Sequence, residues 1–187
     1  MGSIKIAITG APGTGKTAII NELEHHGHYC FHEIIRSMTA KAKNGIANTE
    51  AVSNPLMFVD DPYAFNLQLL NSRAADYSAA AQMHGPLYFF DRGLPDVIAY
   101  MDYFNQSCGH EFITTCQKHR YDAIFILPPW KEIYVSDNER LESFEQAEAL
   151  HGHLMQAYNK FNYNPIEVPK STVEDRITFI LNKIKTL

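Results

Sequence analysis

The sequence predicts an α/β fold, a parallel sheet with helices on both faces, and three observations carry the prediction. Short apolar, β-branched runs alternate along the chain with stretches whose apolar residues recur every three or four positions. The first such run ends in a glycine-rich loop that opens directly onto a helical pattern. Two later runs, Leu87–Asp91 and Ala123–Leu127, are apolar nearly throughout, as strands covered on both faces are.

Ile4–Thr9 is short, β-branched and closed by Gly10, which reads as the first strand. Lys16–His25 follows as a helix with Ile19, Ile20 and Leu23 on its apolar face, stopped by Gly27. Tyr29–His32 is a second strand. A helical stretch, Ile34–Lys43, ends at Asn44-Gly45, and Ile46–Asp61 has the weak periodicity of a loop. Pro62–Met83 is a long helix with proline in its first turn and Gly85-Pro86 beyond its end. Leu87–Asp91 is the third strand. Pro95–Phe104 and His110–His119 are helices, and Ala123–Leu127 is a fourth strand ended by Pro128-Pro129. The polar, irregular stretch Trp130–Leu141 precedes a helix that starts at Ser143, where Gln146 completes a capping box. Pro165–Val168 is the fifth strand. The last helix, Thr172–Leu187, aligns Val173, Ile177, Ile180 and Ile184.

A chain of 187 residues is the size of one domain, expected to span residues 1–187 without a linker or repeat. It buries roughly 70% of its unfolded surface and needs no disulfide or metal for its core. A net charge of −5 argues against nucleic-acid binding through overall charge. No run approaches the ~18 apolar residues of a membrane span. The start, MGSIKIAITG, lacks the features of a signal peptide, and three cysteines form no framework. Reduced thiols in a cytoplasmic protein are the expectation.

Gly10-Ala11-Pro12-Gly13-Thr14-Gly15-Lys16-Thr17 fits G-x-x-x-x-G-K-[ST] without a mismatch, after a strand and before a helix. Glycines let successive backbone N–H groups turn toward phosphate oxygens. The helix start, through Ala18, adds its dipole and unpaired amides. Lys16 is expected on the β and γ phosphates and Thr17 on Mg²⁺, with ATP or GTP as the nucleotide.

Asp91 closes an apolar strand, where a carboxylate can hold the Mg²⁺ shell, and together with Thr17 it is the expected metal pair. The next residue is Arg92, not the glutamate with which fast hydrolases activate water. No N/T-K-x-D segment for guanine is present, which disfavours a Ras-like GTPase. An Asp-Arg pair suits a metal-side acid beside a cation for an acceptor or for the transferring group, and the competing reading is a surface ion pair. Glu33 and Arg36 follow the second strand, on the side where ligands bind open α/β sheets. There Glu33 can orient or deprotonate a hydroxyl and Arg36 can hold an anion; alternatively they form a charged helix start. Arg140, in the stretch before the Ser143 helix, is the candidate lid cation. Gln68, Arg73 and Asp76 can face an acceptor pocket, or simply water. Neither His25, His26, His28 and His32 nor Cys108, His110, Cys116 and His119 has zinc-site spacing.

Gly10–Thr17, His32-Glu33-Ile-Ile-Arg36, Asp91-Arg-Gly-Leu-Pro-Asp96 and Leu127-Pro-Pro-Trp130 through Arg140 to Phe144 together resemble the small AAA-type predicted ATPases. That family is similar to the nicotinamide-riboside kinase domain of the bifunctional NAD regulator NadR and to an animal TRP-channel-associated nucleotide-binding protein. The resemblance covers residues 3–185. It implies a P-loop NTPase of the nucleoside/nucleotide-kinase kind, a three-layer fold with five parallel strands ordered 2-3-1-4-5 and a lid at about 130–144. It also carries over Lys16, Thr17 and Asp91 as triphosphate and metal residues, and Glu33 and Arg36 as the acid and arginine after the second strand. The expectation is a small-molecule kinase with Lys16, Glu33, Asp91, Arg92 and Arg140 as its catalytic set. Its acceptor is expected to be nucleoside- or nucleotide-like, met by Glu33, Arg36, Gln68 and Arg92. The alternative is a nucleotide-dependent switch with slow hydrolysis, working through a protein partner. Oligomeric state is not readable from the chain.

Overall fold

The computed structural model describes residues 2–35, 60–134 and 143–187 of the chain. Among them lie five strands, β1 (Ile4–Gly10), β2 (Tyr29–Phe31), β3 (Leu87–Asp91), β4 (Ala123–Leu127) and β5 (Ile166–Glu167). Six helices join them: α1 (Lys16–His25), α2 (Pro62–Gln82), α3 (Pro95–Tyr103), α4 (His110–Lys118), α5 (Phe144–Lys160) and α6 (Val173–Ile184). Beyond Ile35, the helix expected over Ile34–Lys43 lies outside the described residues.

The strands form one sheet in the order β2-β3-β1-β4-β5, every pairing parallel. β1 is therefore central, paired through Ile8 to Asp91 on one side and to Phe125 on the other. Strand alternation sends Ala7, Phe90 and Ile124 to one face, where they meet Leu70, Ile98, Phe112 and Tyr158 from α2, α3, α4 and α5. Ile6, Ile8, Phe89 and Phe125 point to the other face and pack on α1 and α6 through Ile19, Leu23, Ile177 and Ile180. Both faces are covered, which is why these strands read as continuous apolar runs.

The helix starts follow capping chemistry. Asp61 accepts a hydrogen bond from the Ala64 N–H at 3.0 Å ahead of Pro62. Ser143 and Gln146 form the reciprocal capping box, at 3.2 and 2.7 Å. Thr172 caps α6 through the Asp175 N–H. Two elements are shorter than the sequence pattern: β2 stops at Phe31 and β5 keeps only Ile166–Glu167. Pro165 and Pro169 flank β5 and offer no N–H to a ladder, although the Val168 N–H still donates to Ile126 O at 2.9 Å. Lys131–Ile133, expected to be irregular, forms a 3₁₀ turn. Among the described residues no helix is long and apolar enough to cross a membrane.

Candidate active site

The C-terminal ends of the parallel strands converge on the loop between β1 and α1. Ala11 and Thr14 are buried there, Pro12 is half-buried, and Thr17 and Ala18 open α1 exposed. The Thr14 hydroxyl donates to Ala11 O at 2.9 Å and tightens the turn. Gly10 packs against the end of β4, and Gly15 hands the chain to Lys16 in the left-handed conformation. At Gly13, φ is +76° and a Cβ would fall 2.6 Å from the Tyr134 ring, so glycine is needed for both conformation and space.

Lys16, the first residue of α1, is buried, and its Nζ donates to Gly10 O at 2.7 Å and Ala11 O at 2.9 Å. Burial and the nearby Arg92 lower its ammonium to about 7. Two loop carbonyls thus hold the charge that a triphosphate would take over.

Glu33, just past β2, sits between two arginines. Arg73 of α2 donates from one terminal nitrogen to Glu33 Oε1 at 2.9 Å and from the other to Gly93 O at 2.9 Å. Arg92 pairs through Nε with Glu33 Oε2. Burial alone would raise the Glu33 carboxyl, but the two guanidinium charges prevail and hold it below its ordinary value. A carboxylate held so low accepts hydrogen bonds well and takes protons poorly, so its chemistry is orientation before basicity.

Arg92 has φ +77°, uncommon for a residue with a side chain and costing on the order of 1–2 kcal/mol. Its backbone N–H continues the sheet by donating to Ile8 O at 2.9 Å, and its guanidinium lies over the Tyr100 ring. It also reaches Asp96 Oδ1 at 3.2 Å. Asp96 is fully buried and fully served: Thr9 Oγ1 donates at 2.5 Å, Tyr158 OH at 2.5 Å and the Gly93 N–H at 3.0 Å. Gly93 itself has no room for a side chain, since a Cβ would lie 2.5 Å from the Tyr158 hydroxyl and 3.1 Å from the Tyr121 ring.

Asp91, at the end of β3, is different. Its Oδ1 is buried without a hydrogen-bond partner, and burial followed by the Glu33 charge pushes its carboxyl up. A buried carboxylate oxygen left unpaired at the end of β3, with the Thr17 hydroxyl exposed at the start of α1, is a donor set that fits a hard divalent cation.

The structure thus brings Lys16, Glu33, Asp91 and Arg92 together, with Arg73 as a further member. Gln68 is exposed on α2, roughly 140° round the helix from Arg73, and does not join them. Arg36 and Arg140 lie outside the described residues. Sequence reading passed over Thr9, Tyr158 and Arg176 and used Asp96 only as part of a motif. A signal existed for two of them. Asp96 is an acid opening an apolar helix, and Arg176 is a cation on the apolar stripe of α6, three residues after Val173 and four before Ile180.

No curated protein matches the chain. Among solved structures, a deoxyadenosine kinase from M. mycoides with dCMP and dCDP bound is 18% identical with a TM-score of 0.64, over 98% of this chain and 100% of that one. A structure of NadR in complex with NR is 17% identical with a TM-score of 0.71, over 97% of this chain and 50% of that one. A thymidylate kinase from Ehrlichia chaffeensis is 13% identical with a TM-score of 0.62, over 98% and 100%. At these identities the likeness is one of fold. The family model described as AAA domain matches residues 5–176, nearly the whole chain from β1 to Arg176. The chain belongs to this AAA-domain family of P-loop proteins.

Proposed function

We propose that this protein is a Mg²⁺-dependent phosphotransferase that moves the γ-phosphoryl of ATP or GTP to a small nucleoside- or nucleotide-like acceptor. One observation carries the reading: a carboxylate, Glu33, is clamped between Arg73 and Arg92 beside a complete phosphate loop. Hydrolases need a base for water, whereas this arrangement offers an oriented acceptor for a substrate hydroxyl. The kinase folds that the chain resembles support the same reading.

Loop amides and Lys16 neutralise the β and γ oxygens. Thr17 and Asp91 are the residues that would hold Mg²⁺, which when bound offsets charge developing on the phosphates. Glu33 accepts a hydrogen bond from the acceptor hydroxyl and fixes its line of approach. A loose transition state makes little demand on prior deprotonation, so a carboxylate of low basicity suffices. Arg92 holds Glu33 in place. Sequence alone assigns Arg36 to the acceptor and Arg140 to the transferring group.

The test is ADP release from Mg-ATP with and without pools of nucleosides and nucleoside monophosphates, beside Lys16→Ala. A pool that raises the rate at least ten-fold in the wild type and not in Lys16→Ala supports the proposal. Tight nucleotide binding with a flat response to every pool overturns it in favour of a partner-dependent switch.

A further inference from the structure

Among the described residues, the charges on the acceptor side are already balanced before any substrate enters. The cations among them are Lys16, Arg73 and Arg92, and the carboxylates are Glu33, Asp91 and Asp96. Both arginines are held in ion pairs with Glu33. Arg73, only 5% exposed, spends one terminal nitrogen on Glu33 and the other on Gly93 O. Arg92 forms ion pairs through Nε with Glu33 and through a terminal nitrogen with Asp96, while its Nε and that of Arg73 make no hydrogen bond. The small cavity beside them, about 10 Å³ or room for roughly one water, is also lined by His32, Ile34, Asp76 and the rings of Phe31, Phe90 and Tyr121, and among the described residues by no further lysine or arginine.

A phosphate group brought to Glu33 would meet a carboxylate and would have to pull an arginine out of a buried ion pair, leaving the other charge uncompensated. A hydroxyl meets no such obstacle. It donates to one of the lone pairs that Glu33 has left, because an ionised carboxylate accepts at about four positions.

Resting on the phosphotransferase reading above, we infer that the acceptor presents a neutral alcohol to Glu33: a nucleoside or a similar sugar alcohol, not a nucleoside monophosphate. Arg73 and Arg92 are then counter-ions that hold Glu33 and not phosphate grips. In the transfer, the bond from the acceptor oxygen to the γ phosphorus forms as the bond to the β–γ bridging oxygen breaks. The hydroxyl proton, acidified as its oxygen bonds to phosphorus, passes to Glu33 and then to solvent, and ADP or GDP departs. Among the described residues the new monophosphate finds no arginine beside Glu33 that is free of an ion pair, which favours its release.

The test is calorimetric titration of the full chain saturated with Mg²⁺ and AMP-PNP, so that the phosphate loop is filled. Ribo- and deoxyribonucleosides are compared with their own 5′-monophosphates, and inorganic phosphate is titrated separately into wild type and Glu33→Gln. The expected result is a nucleoside bound at least ten-fold tighter than its monophosphate. Glu33→Gln, with its arginines released, is expected to bind inorganic phosphate at least ten-fold tighter than wild type. A monophosphate that binds wild type as tightly as its nucleoside overturns the inference. If no panel member binds, phosphate affinity equal in the two proteins overturns it equally. Glu33→Asp, which frees one arginine and gives a smaller gain, replaces the glutamine variant if that one does not fold. Failure of AMP-PNP itself to bind would instead sink the phosphotransferase reading.

Discussion

Arg176, near the start of the last helix, donates from its guanidinium to the carbonyl of Thr14 at 3.0 Å. The two residues are 162 positions apart in sequence. Arg176 Nε donates to Ser171 O at 3.0 Å, and the guanidinium lies over the Trp130 ring, 5.4 Å from its centroid. One side chain therefore links the phosphate loop, the turn before α6 and the segment after β4. It fixes which way the Thr14 carbonyl faces, toward α6.

Arg176→Ala removes that brace and leaves the buried Thr14 carbonyl without its donor. The expected outcome is a loss of about 1–3 kcal/mol in stability, with weaker nucleotide binding by roughly ten-fold. Urea unfolding and titration with a fluorescent nucleotide measure the two. An unchanged affinity with reduced stability would confine Arg176 to the fold.

Glu33 predicts a pH dependence whose sign follows from its lowered carboxyl. Between its folded value and the ordinary 4.5 the unfolded chain binds more protons, so stability rises with pH through that window. The contribution is complete above 4.5 and is lost as pH falls through the folded value. Asp91, raised by burial and by Glu33, works in the opposite sense. The comparison is therefore made in an Asp91→Asn background, where adding Glu33→Gln is expected to flatten the acid limb of stability measured from about pH 3 to 6. At pH 7 the same substitution costs about 3–5 kcal/mol, the scale for leaving buried arginines unpaired. An acid limb of unchanged slope would show that Glu33 is not held low.

Asp96 makes a sharper case for stability. Tyr158→Phe and Thr9→Val each withdraw one donor from a carboxylate that has no access to water. Each is expected to cost about 1–3 kcal/mol, and the double variant to depart from additivity by about 0.5 kcal/mol or more because the two hydroxyls share one acceptor. Thermal melts of the four proteins read this directly, and strict additivity would mean that the donors act independently.

The cysteines give a chemical readout of burial. Burial pushes the thiols of Cys30 and Cys116 up to about 12, and Cys108, half-buried, is raised less far. At pH 8 the thiolate fraction of the first two is on the order of one in ten thousand. Iodoacetamide at that pH is expected to modify Cys108 in the folded protein and the other two only on unfolding, as mass spectrometry of the intact chain would record. Rapid modification of Cys116 in the folded state would contradict its place on the buried face of α4.

What the sequence made legible is what local physics decides. The phosphate loop is a contiguous motif, and Leu87–Asp91 and Ala123–Leu127 announce buried strands because both their faces are apolar. Glu33, Asp91 and Arg92 were found because they stand at strand ends, and parallel strands deliver their ends to one side of a sheet. Arg73 was weighed as a residue facing a pocket, and its grip on Glu33 and Gly93 was out of reach, since 40 residues separate it from Glu33 and no spacing rule joins them. The same holds for Thr9 and Tyr158, contributed by β1 and α5. Their hydroxyls are indistinguishable in sequence from those of solvent-facing residues. The left-handed backbone at Arg92 is likewise invisible, because only glycine or asparagine would have advertised it.

The crowding at Gly93 has a consequence for how this chain can change. A side chain of any kind there would drive into Tyr158 and Tyr121, unseat the Asp96 carboxylate and displace the carbonyl that anchors Arg73. A full substitution scan scored by growth or binding should therefore map two intolerant islands. One is the phosphate loop, where replacement removes chemistry. The other is a single glycine 83 positions after Gly10, where even alanine fails for lack of volume and where drift, insertion and directed evolution all find a closed door.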